Sequence, residues 1–134
     1  MEPPPSFVAL TFCNRLIVDE VTKMRSLIDV ITGISVGDFP SAPQRFYVHA
    51  ALTGGVGEAR IELRVIRLAT SQQVYSQFGK ITFPDRTDIV SPFFHVRSIR
   101  FPAPGFYLCQ LLVGGELLSG AERRIRVFKH EEST

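Results

Sequence analysis

At 134 residues, with 45% hydrophobic and 21% charged side chains and a formal net charge of +2, the chain has the makeup of one folded domain. That length buries roughly two thirds of the unfolded surface, so no staple is needed, and the charge is too small to point by itself to a nucleic-acid partner. No apolar stretch approaches the ~18 residues of a membrane helix, and Met1-Glu-Pro-Pro-Pro5 lacks the cationic and apolar regions of a secretory leader, so a cytoplasmic protein with no membrane partner is expected.

Eleven Phe and no Trp suggest a core carried by Phe. The basic residues are 12 Arg and 3 Lys. Arg makes bidentate contacts to carboxylates and phosphates that Lys cannot, although a GC-rich coding sequence is the simpler explanation of the bias. Cys13 and Cys109 fit a reducing compartment as free buried thiols. A disulfide between them would require strands on facing sheets. Their separation exceeds that of antibody domains, and the Trp that packs on such a bond is absent.

In chain order, residues 1–5 form a Pro-rich tail. Residues 7–12 are apolar on both faces, as in a buried strand, and Leu16-Ile-Val18 continues it beyond Asn14. Val21, Met24, Ile28 and Ile31 recur at helical spacing, with Asp19 placed as an N-cap and Gly33 as a C-terminal stop. The β-branched run to Val36 argues instead for a turn at 19–23 and a strand from about 25 to 32. The choice between helix and strand over 21–32 stays open. Residues 37–44 read as a loop.

Clean alternation follows. Phe46, Val48, Ala50 and Leu52 face one way, and Tyr47, His49 and Thr53 the other. Gly54-Gly-Val-Gly57 reads as a hairpin loop into Ala59, Ile61, Leu63 and Val65, with Glu58, Arg60, Glu62 and Arg64 outward. Residues 73–83 form a strand whose parity switches at Gly79, a bulge signal. Residues 84–92 are a loop. Residues 93–101 form a strand with a parity slip near Arg97-Ser98. Phe101-Pro-Ala-Pro-Gly-Phe-Tyr-Leu-Cys109 has the layout of a tyrosine corner, with Pro104, Gly105 and Tyr107 in structural roles. Gly114-Gly115 is a two-residue hairpin turn. A short turn at Ser119–Glu122 precedes the last strand, and residues 130–134 are a polar tail.

This pattern predicts one all-β domain over 6–129: an antiparallel, immunoglobulin-like β-sandwich of about seven to nine strands. Catalytic signals are weak. Ser119 lacks the first Gly of a nucleophile elbow, and Cys109 faces the core. Gly54, Gly55 and Gly57 have no following helix to aim amides at a phosphate. His49 and His95, with Asp85 or Asp88, could be assembled into a metal site, but no short ligand spacing supports it. Asp85 and Asp88 read more simply as an Asx-type turn than as a calcium loop.

Two surfaces remain. Tyr47, His49, Arg60 and Arg64 share the outward face of the expected hairpin and are candidates for contact with a protein partner. Arg97, Arg100, Arg124 and Arg126 form a candidate anion-binding patch if strand 93–101 and the last strand share a sheet.

Cys13-Asn-Arg-Leu-Ile-Val-Asp19, Ser26-Leu-Ile28, Arg45-Phe-Tyr-Val48, Leu52-Thr53, Gly57-Glu58, Phe101 to Tyr107 and Gly115-Glu-Leu-Leu118 together resemble a family of small bacterial β-sandwich proteins with no established activity. The resemblance spans most of 7–128 and implies a fold and a bacterial, single-domain protein. It carries over no functional residue. Gly55-Val56 stands where the resemblance implies an acidic loop, which weighs against metal at that turn. The resulting expectation is a non-enzymatic interaction or scaffold module without cofactor or metal, using a sheet face or edge strand to bind a protein partner or a second copy of itself. Binding of an anionic ligand or nucleic acid through the Arg-rich strands is the alternative, with nucleic acid the less favoured partner. A metal-dependent hydrolase is remote.

Overall fold

The computed structural model describes residues 5–130, so the expected tails lie outside it apart from Pro5 and His130. His130 is tied down, its amide donating to the Val36 carbonyl. The elements are β1 (Ser6–Val18), β2 (Arg25–Ile31), β3 (Gly33–Val36), β4 (Gln44–Thr53), β5 (Gly57–Arg67), β6 (Gln73–Phe83), β7 (Ile89–Val90), β8 (Phe93–Ile99), β9 (Gly105–Val113) and β10 (Glu116–Lys129). No helix occurs among the described residues. The strands form two sheets. The first runs β2-β1-β4, with β7 and β8 both pairing the far side of β4, and the second runs β3-β10-β9-β5-β6. Ladders are antiparallel except β3, which runs parallel to β10. One core joins the inward faces of both sheets, including Phe46, Val48 and Leu52 on β4, Leu63 and Val65 on β5, and Ile125 and Val127 on β10.

The helical alternative for 21–32 is overturned. Asp19 does act as a cap, but of a turn: its Oδ1 accepts from the amides of Val21 and Thr22 at 2.9 and 2.8 Å. Lys23, at φ 61°, reverses the chain into β2. The β-branched run then divides at Thr32, with β2 in the first sheet and β3 in the second. Gly33 permits the close parallel approach to β10, since a Cβ there would lie 3.2 Å from the Phe128 ring.

Two turn assignments and one bulge are corrected. Gly54–Val56 is a crossover between sheets, because β4 and β5 do not pair. Gly55 is required there: a Cβ would fall 2.5 Å from the Phe83 ring. The bulge expected at Gly79 is absent. β5 and β6 pair in continuous register from Gly57↔Phe83 to Val65↔Tyr75, the irregularity falls at Val74, and Phe78 simply faces out. Ser119–Glu122 does not end a strand. β10 runs through it with a shift between Leu117 and Glu122, and Gly120 adopts φ 77°. There β10 meets β1, and Arg123 Nη1 donates to the Leu10 carbonyl at 2.6 Å, fastening one side of the sandwich.

Other expectations hold. The slip at Arg97-Ser98 appears as a register shift between β8 and β4. Gly114 and Gly115 turn with φ 60° and 84°. Tyr107 is fully buried and its hydroxyl donates to the Ala103 carbonyl at 2.7 Å, closing the tyrosine corner. The Phe residues are only partly a core set. Phe12, Phe46, Phe83, Phe94 and Phe101 are buried, whereas Phe78, Phe93 and Phe106 stand 55%, 41% and 49% exposed.

Candidate functional site

Each of the exposed Phe rings carries a guanidinium: Arg60 over Phe78 at 4.1 Å, Arg25 over Phe93 at 5.4 Å, and Arg124 over Phe106 at 5.7 Å. These are cation–π distances. The densest group lies on the outer face of the first sheet. Alternation along β4 turns Arg45, Tyr47 and His49 outward, and along β8 it turns Phe93, His95 and Arg97 outward. The antiparallel register sets Tyr47 against His95 and His49 against Phe93. Ring therefore opposes ring, and Arg45 falls beside the bulged Arg97-Ser98 pair.

Tyr47 and His95 stack with centroids 4.3 Å apart and planes 9° from parallel. The Phe93 ring is 6.4 Å from Tyr47. Arg97 Nε donates to His95 Nδ1 at 3.2 Å, so His95 is neutral with its proton on Nε2. Its pKa is lowered by burial and by the charges of Arg97 and Arg45. His49 is lowered by burial and by Arg25.

Arg25 reaches this face by a fold of the chain that sequence periodicity does not show. It pairs with Val18 at the far end of the β1–β2 hairpin, yet its guanidinium sits on Phe93 of β8. The hairpin end thus lies over the outer face of the sheet. Cys13 has the outward parity of its partner Tyr47 and is nonetheless fully buried. Among the described residues, Arg25, Arg45 and Arg97 form no ion pair with a carboxylate; the ion pairs are Glu62–Arg64 and Glu58–Lys80, in the second sheet.

The second sheet's outer face is different in character. Arg64 pairs with Glu62 at 3.4 Å, and Glu62 also accepts from Ser76 at 2.7 Å. Glu122 accepts from Gln110 at 2.8 Å. Arg126 lies over Phe128 at 4.9 Å. This is a face of mixed sign, on which Glu62 and Glu122 are engaged while Arg64 Nε has no hydrogen-bond partner among the described residues.

The two candidate sets are therefore regrouped. Tyr47 and His49 lie on the first sheet, and Arg60 and Arg64 on the second, because the expected hairpin is a crossover. Arg97 and Arg100 belong to the β8 side of the first sheet, and Arg124 and Arg126 to β10 of the second, so the proposed four-Arg patch is split between opposite faces. Arg97 instead joins Tyr47 and His49. Phe93, Arg25 and Arg45 stood in neither set. A signal for two of them was present: Arg45-x-Tyr47-x-His49 and Phe93-x-His95-x-Arg97 match ring to ring when run antiparallel.

No group of three or more metal-ligating side chains occurs among the described residues. Asp85 is committed to a turn, its Oδ1 accepting from the amide of Thr87 at 2.9 Å, which holds its pKa low. Cys13 and Cys109 are unbonded and buried, and burial pushes both thiols up. No helix among the described residues is long and apolar enough to cross a membrane.

Residues 8–127 match the family described as "Family of unknown function (DUF6941)". The chain belongs to the DUF6941 family. No curated protein matches it. Among solved structures it is similar to Pseudomonas fluorescens alkylpurine DNA glycosylase AlkC bound to DNA containing an abasic site analog, at 12% identity and a TM-score of 0.45. That match covers 89% of this DUF6941 chain and 30% of the other, so the chain spans less than a third of the glycosylase's length.

Proposed function

We propose that this DUF6941 protein is a non-enzymatic binding module that recognises an anionic partner through the outer face of its first sheet. The observation that carries the reading is the trio Arg25, Arg45 and Arg97 around a cluster of aromatic rings, with no ion pair to a carboxylate among the described residues. Like charges set side by side on a sheet cost stability, and a bound anion offsets that cost. His49 and His95, held neutral, supply hydrogen-bonding groups between the guanidiniums. No hydrogen bond joins His49 or His95 to a hydroxyl or thiol among the described residues, and both thiols are buried, which supports binding over catalysis.

The test is affinity for inorganic polyphosphate measured by calorimetry. The double variant Arg45→Glu/Arg97→Glu is expected to lose binding, and Arg124→Glu/Arg126→Glu to keep it. Equal loss in both variants, or none in either, contradicts the placement. A second reading, contact with a protein partner or a second copy, is favoured by the apolar end of the β1–β2 hairpin, where Val21 is 90% and Met24 72% exposed. A concentration-independent monomer mass by light scattering, unchanged in Val21→Asp/Met24→Asp, counts against self-association there.

A further inference from the structure

The aromatic and cationic groups of the first sheet do not stop at its edge. Phe93 and Arg25 also line a cavity of about 320 Å³ between the free edges of β8 and β6, whose far wall is Phe78, Gly79 and Lys80. Phe78 in turn separates this cavity from a second one of about 350 Å³ on the second sheet, lined by Arg60 and the Gly114-Gly115 turn. A continuous track therefore runs from the Tyr47–His95 stack over Phe93 to Phe78. Each ring along it has a cation beside it: Arg97 at His95, Arg25 on Phe93, and Arg60 on Phe78. Glu62 also lines the second cavity and is engaged by Arg64 and Ser76, and Glu58 lies 3.9 Å from Lys80.

Resting on the anion-binding reading above, we propose that this track takes a single-stranded nucleic acid. Bases would stack at the Tyr47–His95, Phe93 and Phe78 positions, and phosphates would sit on the intervening Arg25, Arg45, Arg60 and Arg97. Single-strand binders combine these two elements, a cationic path for the backbone and a series of rings that accept any base. An acidic peptide would use the guanidiniums but has no reason to meet rings in series. The open side of the sandwich suits the purpose: β1 and β10 are fastened on one side by Arg123, while on the other β6 and β8 leave the cavity between them.

The experiment is fluorescence anisotropy of a labelled mixed-sequence 20-nucleotide DNA and its RNA counterpart, titrated with the full chain at 50 and 200 mM salt. About four neutralised phosphates predict a roughly 50-fold loss of affinity over that salt range. Phe78→Ala and Phe93→Ala, both at exposed positions, are each expected to weaken binding about tenfold, and Phe106→Ala, off the track at the opposite end of β9 from the Glu62–Phe78 pair, to leave it unchanged. Binding that ignores the ring variants, or that a poly-glutamate peptide matches or exceeds, overturns the nucleic-acid assignment. If polyphosphate still depends on Arg45 and Arg97 in that case, the anion-binding face stands alone. If it does not, both readings fall.

Discussion

Replacing Tyr107 with Phe removes one oxygen from the middle of the protein and little else. The hydroxyl donates to the Ala103 carbonyl at 2.7 Å, inside a side chain with no exposed surface. The ring's edge-on contact with Phe101, centroids 4.8 Å apart, is kept by Phe. The loss is thus the hydrogen bond to the Ala103 carbonyl together with the longer one, at 3.4 Å, that the hydroxyl accepts from the Ala103 amide. Such a change costs about 1–3 kcal/mol. For a domain of this size it lowers Tm by about 3–4 °C per kcal/mol. Urea unfolding followed by tyrosine-independent far-UV dichroism measures it, with the midpoint expected to fall and the slope to stay constant. A loss below about 0.5 kcal/mol would show that the tyrosine corner does not hold the Pro102–Gly105 turn to β9, and would refute the reasoning.

Other outcomes follow from the same structure. His49 and His95 have folded pKa values below the ordinary histidine value, so the unfolded chain takes up protons first as pH falls. Stability from these groups is full above about pH 6.5 and is lost as pH drops toward their folded pKa values, while a polyanion binds more tightly at pH 5.5 than at 7.5. His49→Gln/His95→Gln should flatten both profiles, and unchanged profiles would rule these histidines out. Gly55→Ala should destabilise by about 1–3 kcal/mol through its clash with Phe83, with Phe83→Leu restoring part of it; a neutral Gly55→Ala would contradict the close approach. Cys13 and Cys109 should resist a thiol reagent in buffer and react in denaturant, and rapid labelling of the native protein would contradict their burial.

Strand periodicity was legible wherever one face is buried and the other solvated. Phe46 to Leu52 and Ile61 to Val65 show it, as does the tyrosine corner, whose Pro-Gly turn and Tyr are adjacent in sequence. What was illegible is which strands share a sheet. A glycine link between two alternating strands reads as a hairpin, and only the strand pairing shows that the chain crosses between layers. That one misreading put Arg60 and Arg64 beside Tyr47 and His49. Assuming that β8 and β10 share a sheet joined Arg97 to Arg124 in the same way. The alternation read along β4 and β5 matches the burial pattern at Tyr47, His49, Arg60 and Arg64, whereas the parity switch read at Gly79 does not. The grouping across strands depended on topology, which no local pattern encodes. Arg25 was beyond reach altogether, since its place on Phe93 depends on the hairpin end lying across the outer face of its own sheet.

The central claim is that recognition occurs on the outer face of the first sheet. Mapping amide chemical shifts of the labelled protein during titration with polyphosphate tests it most directly. The account predicts shifts centred on Arg45, Tyr47, His49, Phe93, His95 and Arg97, extending to Arg25. Shifts centred on Phe106, Arg124 and Arg126 of the opposite sheet, or none at saturating polyphosphate, would contradict it.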